Sequence, residues 1–289
     1  MGVDDRLKRA KRSLEGLSVG DAFGQKFFGD SGVVWSRVVG RVVPPASWEW
    51  TDDTAMARAI VQVLESHRQL APAHLADIFA REYRRDPFRG YGAGAAEVLN
   101  QIADGTPWQT ASSLLFRGSG SYGNGAAMRA APIGAFFADD VEAVIEQATI
   151  ASQLTHFHPD GVAGGVAVAL AAAWWAQPRA GSMFEFVLEH TPPGAVRRAI
   201  LKASEFATDT KPSVVAGELG NGSRITALDT VPFCLWSAAR TDDYVDAMWY
   251  TVGVLGDRDT NCAIVGGILA SSPEVSVPPS WVEAREPLA

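Results

Sequence analysis

Along most of the chain, apolar residues return every three to four positions, the spacing of one buried helical face. After Asp53 the set is Met56, Ile60, Val63 and Leu64; Leu75, Ile78, Phe79 and Tyr83 follow, then Val141, Val144, Ile145 and Ala148. Ala263, Ile264, Gly267 and Ile268 repeat the pattern near the end, and Asp140, Pro159 and Thr241 stand where helices should start. Residues 161–176 are apolar throughout, which predicts a central helix buried on every side; the run falls short of the roughly 20 residues that a membrane span needs. Only residues 32–43 read differently, with Val33, Trp35, Val38, Val39, Val42 and Val43 bounded by Gly and Pro, and predict a short hairpin or extended flap. The expected fold is all-α: one multi-helix domain over residues 1–289, with at most that small strand-like flap.

Composition narrows the partners. The 289 residues are 47% hydrophobic, enough for a large core, and no Pro/Gly/Ser-rich linker or solenoid-length repeat divides them. A net charge of -8 argues against an electrostatic grip on nucleic acid or anionic lipid, so an anionic ligand needs local help from metal ions or backbone amides. Cys234 and Cys262 lie in helical patterns without paired spacing and read as buried free thiols in a reducing compartment. The first twelve residues are charged and lack a signal peptide's apolar core, so a cytoplasmic protein is expected.

Two acidic segments about 200 residues apart each precede a helical run: Trp50-Thr51-Asp52-Asp53-Thr54 and Gly256-Asp257-Arg258-Asp259-Thr260. If they meet, four carboxylates share one small volume, and each close like-charge pair costs about 4 kcal/mol at an effective dielectric near 20. Protons with raised pKa values could relieve this, as could two hard divalent cations with oxygen ligands. Magnesium, manganese or calcium fits such a site better than zinc, and Thr51 and Thr260 can add oxygens. Thr and Asp before an apolar run are also ordinary helix caps. Thr241-Asp242-Asp243 repeats the tripeptide with no chemistry around it and serves as the chain's own control.

Between the segments, Gly118-Ser119-Gly120-Ser121-Tyr122-Gly123-Asn124-Gly125 runs into a helical stretch. Successive amides in such a loop, with a helix N-terminus behind them, can cradle an anion, or the loop can be a plain turn. No Gly-Lys-Ser/Thr closes it, which removes a Walker-type ATPase. His156 and His158, in Leu154-Thr155-His156-Phe157-His158-Pro159, lack a cysteine or clear third ligand for zinc. A histidine that orients a polar ligand and a satisfied structural histidine are the remaining readings.

In order, these pieces resemble the ADP-ribosylglycohydrolase family, which includes dinitrogenase reductase-activating glycohydrolase and the vertebrate ADP-ribosylhydrolases. The resemblance runs from Gly16-Leu17-Ser18-Val19-Gly20-Asp21-Ala22-Phe23-Gly24 through both acidic segments. Between them it takes in Arg89-Gly90-Tyr91-Gly92, Ser121 to Arg129, Thr155-His156 and Leu228-Asp229-Thr230-Val231-Pro232. It implies a compact all-α hydrolase with two Mg2+ (or Mn2+), cleaving the bond from the distal ribose of ADP-ribose to a modified protein side chain or a nucleobase and releasing ADP-ribose. By the same resemblance Thr51, Asp52, Asp53 and Asp259 would hold one metal, and Asp257, Asp259 and Thr260 the other. Ser121, Tyr122, Gly123, Asn124 and Gly125 would cradle the diphosphate and His156 would line the groove, with Asp52, Asp53 and Asp259 catalytic. The chain departs from many members at Phe28, which stands where they carry a glutamate; Asp30 is the nearest carboxylate that could replace it. A family member that binds ADP-ribose without turnover is the alternative.

Overall fold

The periodic segments become helices, and their ends follow local chemistry. A computed structural model of the chain describes residues 3–177 and 179–288; Met1 and Gly2 of the charged N-terminal segment lie outside the described residues, as does Ala289. The first six helices are α1 (Val3–Gln25), α2 (Ser31–Gly40), α3 (Asp52–His67), α4 (Pro72–Arg85), α5 (Ala93–Ala103) and α6 (Trp108–Gly118). After a 3-10 turn at Asn124–Ala126 come α7 (Ala131–Phe136), α8 (Val141–Gln153), α9 (Pro159–Trp175), α10 (Met183–His190) and α11 (Ala195–Ser204). The last five are α12 (Pro212–Leu219), α13 (Ala227–Arg240), α14 (Tyr244–Val252), α15 (Arg258–Leu269) and α16 (Pro279–Ala284). Among the described residues there is no β-sheet, only isolated bridges at Trp48–Arg285 and Gly123–Thr226. No helix among them is long and apolar enough to cross a membrane.

Two expected starts hold: the Asp140 carboxylate accepts the Ala143 amide at the head of α8, and Pro159 opens α9. The third moves, because Asp243, not Thr241, caps α14 by accepting the Asp246 amide at 2.8 Å, while the Thr241 hydroxyl accepts the Asp243 amide. The control tripeptide is therefore a cap and nothing more.

The flap expected over residues 32–43 is corrected to a helix. Asp30 accepts the amides of Gly32 and Val33, both at 3.0 Å, and this cap starts α2 despite the β-branched residues that follow. Val34 is buried while Val33, Trp35 and Val39 stay exposed. One anchored side per turn and a good cap outweigh a strand preference that acts mainly through packing.

The long apolar segment is the buried centre, with every residue from Val166 to Ala173 on α9 fully buried. Its small side chains let neighbours come close; a Cβ on Gly134 of α7 would fall 1.8 Å from the Ala169 carbonyl oxygen. The contact that builds the site joins α1 to α15. Cβ atoms at Gly16, Gly20 and Gly24 would lie 2.5, 2.2 and 2.3 Å from the carbonyl oxygens of Gly266, Cys262 and Arg258. Glycine at every fourth position of α1 thus leaves a groove into which the backbone of α15 sinks. At the C-terminal side, Trp281 of α16 stacks on Phe23 of α1 at 4.5 Å, and the Trp48 and Glu286 amides pair with the Ala284 and Trp48 carbonyls.

Gly20→Ala should therefore destabilise the protein by about 2–3 kcal/mol, since the carbonyl it meets belongs to a helix that cannot retreat. Gly217→Ala, on an exposed part of α12 with no atom in the way, should stabilise it by roughly 0.5–1 kcal/mol. Urea midpoints of the two variants check both signs.

Candidate active site

The two acidic segments are both helix starts, and α1 brings them together. Thr51 is the N-cap of α3, its hydroxyl accepting the Asp53 amide, so Asp52 and Asp53 occupy the first turn. Asp257 directly precedes α15 with its amide held by the Asn221 carbonyl, placing Asp259 and Thr260 in that helix's first turn. The Thr260 hydroxyl donates to Asp53 Oδ1 at 3.4 Å, so side chains 207 positions apart in sequence meet. Both helices thus point their positive ends at one group of carboxylates.

Underneath lies Asp21 of α1, fully buried and given no role from sequence. Its carboxylate accepts the Thr51 amide and hydroxyl, both at 2.9 Å, together with the Thr54 amide and hydroxyl. Four donors on one carboxylate lock the turn that presents Asp52 and Asp53. From outside, the Arg89 carbonyl accepts the Asp52 amide at 2.7 Å, and the Arg89 guanidinium sits over Trp50 while pairing with Glu286. The sequence signal for Asp21 was a lone carboxylate within an apolar helical run.

These residues open onto a cavity of about 430 Å³. Asp52, Asp53, Asp257, Asp259 and Thr260 line it, and so do Ser121, Tyr122, Gly123, Asn124, Gly125 and His156. Of the residues that the resemblance assigns to the metals, the diphosphate and the groove, Thr51 alone does not line it; its hydroxyl is taken by Asp21 and the Asp53 amide. Asn124 turns its side chain away from the glycine loop to donate to Asp257 at 2.6 Å and Thr230 at 3.1 Å. Within the loop, the Gly123 amide is held by the Ser121 hydroxyl and the Asn124 amide by the Ile225 carbonyl. The expected helix behind the loop is a three-residue 3-10 turn instead. The helix N-termini against the loop belong to α9, whose Gly161 abuts the Ser121 carbonyl, and α13, whose Ala227 amide donates to Tyr122.

Sequence reasoning also missed Phe116, whose left-handed backbone (φ 52°, ψ 47°) leaves its ring 56% exposed at the cavity, as Tyr122 is at 52%. A single aromatic before a glycine loop carries no pattern that marks it. Phe28 does not line this cavity; Arg258 lies over its ring at 4.7 Å and donates to the Phe27 carbonyl. Asp30, committed to capping α2, is also outside the cavity.

The electrostatics are those of crowded, buried carboxylates. Burial, reinforced by Asp21 and Asp259, pushes Asp52 and Asp53 well above the ordinary carboxylate range. Burial and Asp259 lift Asp257 to about 7; burial and Asp21 lift Asp259 to about 6. Asp53 Oδ2 and Asp259 Oδ1 are buried without a hydrogen-bond partner. Two orphaned acceptor oxygens among carboxylates that resist ionisation suit hard cations with oxygen ligands. Among the described residues no three His, Cys, Asp or Glu side chains yet surround one point as metal ligands would.

Comparison with known proteins identifies the family. The family model for ADP-ribosylglycohydrolase matches residues 3–287. This chain belongs to the ADP-ribosylglycohydrolase family. The Homo sapiens ADP-ribosylhydrolase ARH3 is 29% identical over 334 residues, covering 99% of this chain and 91% of that protein. The ADP-ribosylarginine hydrolase Tri1 of Pseudomonas putida is 26% identical over 296 residues, covering 97% and 75%. A solved ADP-ribosylglycohydrolase-related protein complex superposes with a TM-score of 0.65 at 23% identity, over 98% of this chain and 94% of that one, which shows the shared all-α fold. As an ADP-ribosylglycohydrolase the chain is placed among hydrolases.

Removing the Asp21 carboxylate leaves buried donors on Thr51 and Thr54 unpaired, so Asp21→Ala should cost about 3 kcal/mol or more. Asp243→Ala, which deletes only a cap, should cost about 1 kcal/mol. Thermal or urea unfolding of the two variants measures the gap, and equal losses would remove the special role of Asp21.

Proposed function

We propose that the chain hydrolyses the glycosidic bond between ADP-ribose and a modified acceptor, with two divalent ions, Mg2+ or Mn2+, in the carboxylate cluster. The observation that carries this reading is the meeting of Asp52 and Asp53 with Asp257 and Asp259, orphaned oxygens included, in the cavity that also holds the glycine loop. Asp52, Asp53 and Asp259 would hold one ion; Asp257, Asp259 and Thr260 the other. When bound, such ions anchor ribose hydroxyls and lower the pKa of a water. Thr51 frames the site by capping α3.

The chain's own residues do the rest. Ser121 to Gly125 offer close backbone approach to a diphosphate, and His156 borders them. Phe116 and Tyr122, both half exposed at the cavity, provide faces for a purine to stack on. Cleavage at C1 of the distal ribose passes through an oxocarbenium-like state. Asp52 and Asp53, which line the cavity, would steer the attacking water toward C1.

The acceptor is a modified protein side chain or a nucleobase. A relative named for ADP-ribosylarginine makes arginine conjugates the first substrates to assay, followed by serine and nucleobase conjugates. A second reading, an ADP-ribose binder without turnover, draws on Phe28 and on Asp30 being a cap outside the cavity. Free ADP-ribose released from any conjugate in the presence of Mg2+ supports the enzyme; tight binding without release from every conjugate supports the binder.

Asp259→Ala should abolish both metal binding and release, reducing turnover by at least about 100-fold, whereas Asp30→Ala should leave turnover within about twofold of wild type because it removes only a cap. Metal content by elemental analysis and ADP-ribose release by chromatography separate the two.

The raised carboxylates also make a pH prediction. A group whose folded pKa lies above its unfolded value stabilises the fold at low pH, and that contribution is lost as pH rises through the folded pKa. With Asp21 and Asp259 near 6 and Asp257 near 7, the Tm of chelator-treated protein should fall between about pH 5 and pH 8. Millimolar Mg2+ or Mn2+ should restore it most at the upper end, and an unaltered Tm at pH 8 would count against the metal site.

A further inference from the structure

Arg129 is fully buried, yet its hydrogen bonds go to neutral atoms. The guanidinium lies over the Phe79 ring at 4.9 Å; Nη2 donates to the Ala151 carbonyl and the Thr155 hydroxyl, both at 2.8 Å, and Nη1 to Met56 Sδ at 3.2 Å. Burying an unpaired cation is costly. What it obtains for that cost shows one bond further on, where Thr155 Oγ1 lies 2.8 Å from His156 Nδ1.

An arginine can only donate, so its bond uses a lone pair of the threonine oxygen and leaves the single hydroxyl proton to be placed. The neighbour within reach of that proton is Nδ1. An imidazole that accepts at Nδ1 carries its proton on Nε2. Burial and the nearby Arg129 keep His156 neutral at physiological pH, its pKa held down to about 3. Nε2 in turn faces the glycine loop: Cβ atoms on Gly125 and Gly123 would lie 3.0 and 3.1 Å from it, so only glycine leaves this edge of the ring uncovered.

We propose that Arg129 and Thr155 are positioning residues that fix His156 as the Nε2–H tautomer, a neutral donor aimed past Gly123 and Gly125 at the anionic oxygens of the ligand. The direction of the whole chain is set at its buried end: Arg129 to Thr155, Thr155 to His156, His156 to ligand. A glutamine in place of Arg129 can accept as well as donate, which frees the hydroxyl to turn and the imidazole to take either tautomer. The ligand half of this proposal rests on reading the cavity as an ADP-ribose site; the tautomer half does not.

Nitrogen-15 NMR of histidine-labelled, ligand-free full-length protein at pH 7 reads the tautomer directly, with the His156 signal assigned by His156→Gln. An Nε2–H signal is the expected result, and an Nδ1–H or doubly protonated ring overturns the proposal. Calorimetric titration with ADP-ribose then tests the consequence. Thr155→Val should weaken binding about fivefold to tenfold, Thr155→Ser should restore it, and Arg129→Gln should give a mixed-tautomer spectrum. Folded Thr155→Val with wild-type affinity overturns the aim at the ligand. Wild-type protein that fails to bind ADP-ribose sinks the functional reading instead, while the NMR result still decides the tautomer.

Discussion

The close approach of α1 and α15 is the constraint on which the site depends. Helices that meet through ordinary side chains stay about 8–10 Å apart; here three glycines on α1 face carbonyl oxygens of α15 so closely that any side chain would collide. That contact sets Asp21 beneath the first turn of α3 and draws the start of α15 alongside it. The carboxylates gathered there repel one another in a buried setting, which is why several of them hold protons far above their ordinary range. Stability is given up locally so that several carboxylates are concentrated in one place.

Around this centre, parts with no chemistry of their own remove freedom from the parts that have it. Asp21 ties the α3 turn from below, Arg89 holds it from outside, and Asn124 ties Asp257 to the glycine loop. The loop's freedom is restricted as well, since the Gly123 and Asn124 amides are occupied within the protein. An anion there would meet a few fixed donors rather than a flexible run of amides. Such preorganisation lowers the cost of ordering a ligand of several rotatable bonds.

Thr51-Asp52-Asp53 and Thr241-Asp242-Asp243 show how one tripeptide has two fates. In both, a threonine hydroxyl accepts the amide two residues on. At α14 the aspartate carboxylate is spent on the helix end and faces water; at α3 the hydroxyl caps the helix and neither carboxylate is needed for the cap, so both are buried at the site. Local sequence is the same in each case, and the surroundings differ.

Helical periodicity, the buried α9 and two of the three marked helix starts were legible in the chain, because side-chain spacing and capping act over a few residues; the cavity-lining residues named from the chain came from the acidic segments, the glycine loop and the family resemblance. Residues 32–43 misled because the strand preference of β-branched residues acts mainly through packing, and packing there left only one side anchored. The role of Asp21, the exposure of Phe116, the turning of Asn124 toward Asp257 and the Arg129–Thr155–His156 chain were decided by tertiary structure. Each depends on partners tens to hundreds of positions away or on one backbone angle, and no pattern of neighbours along a chain records distances of that kind.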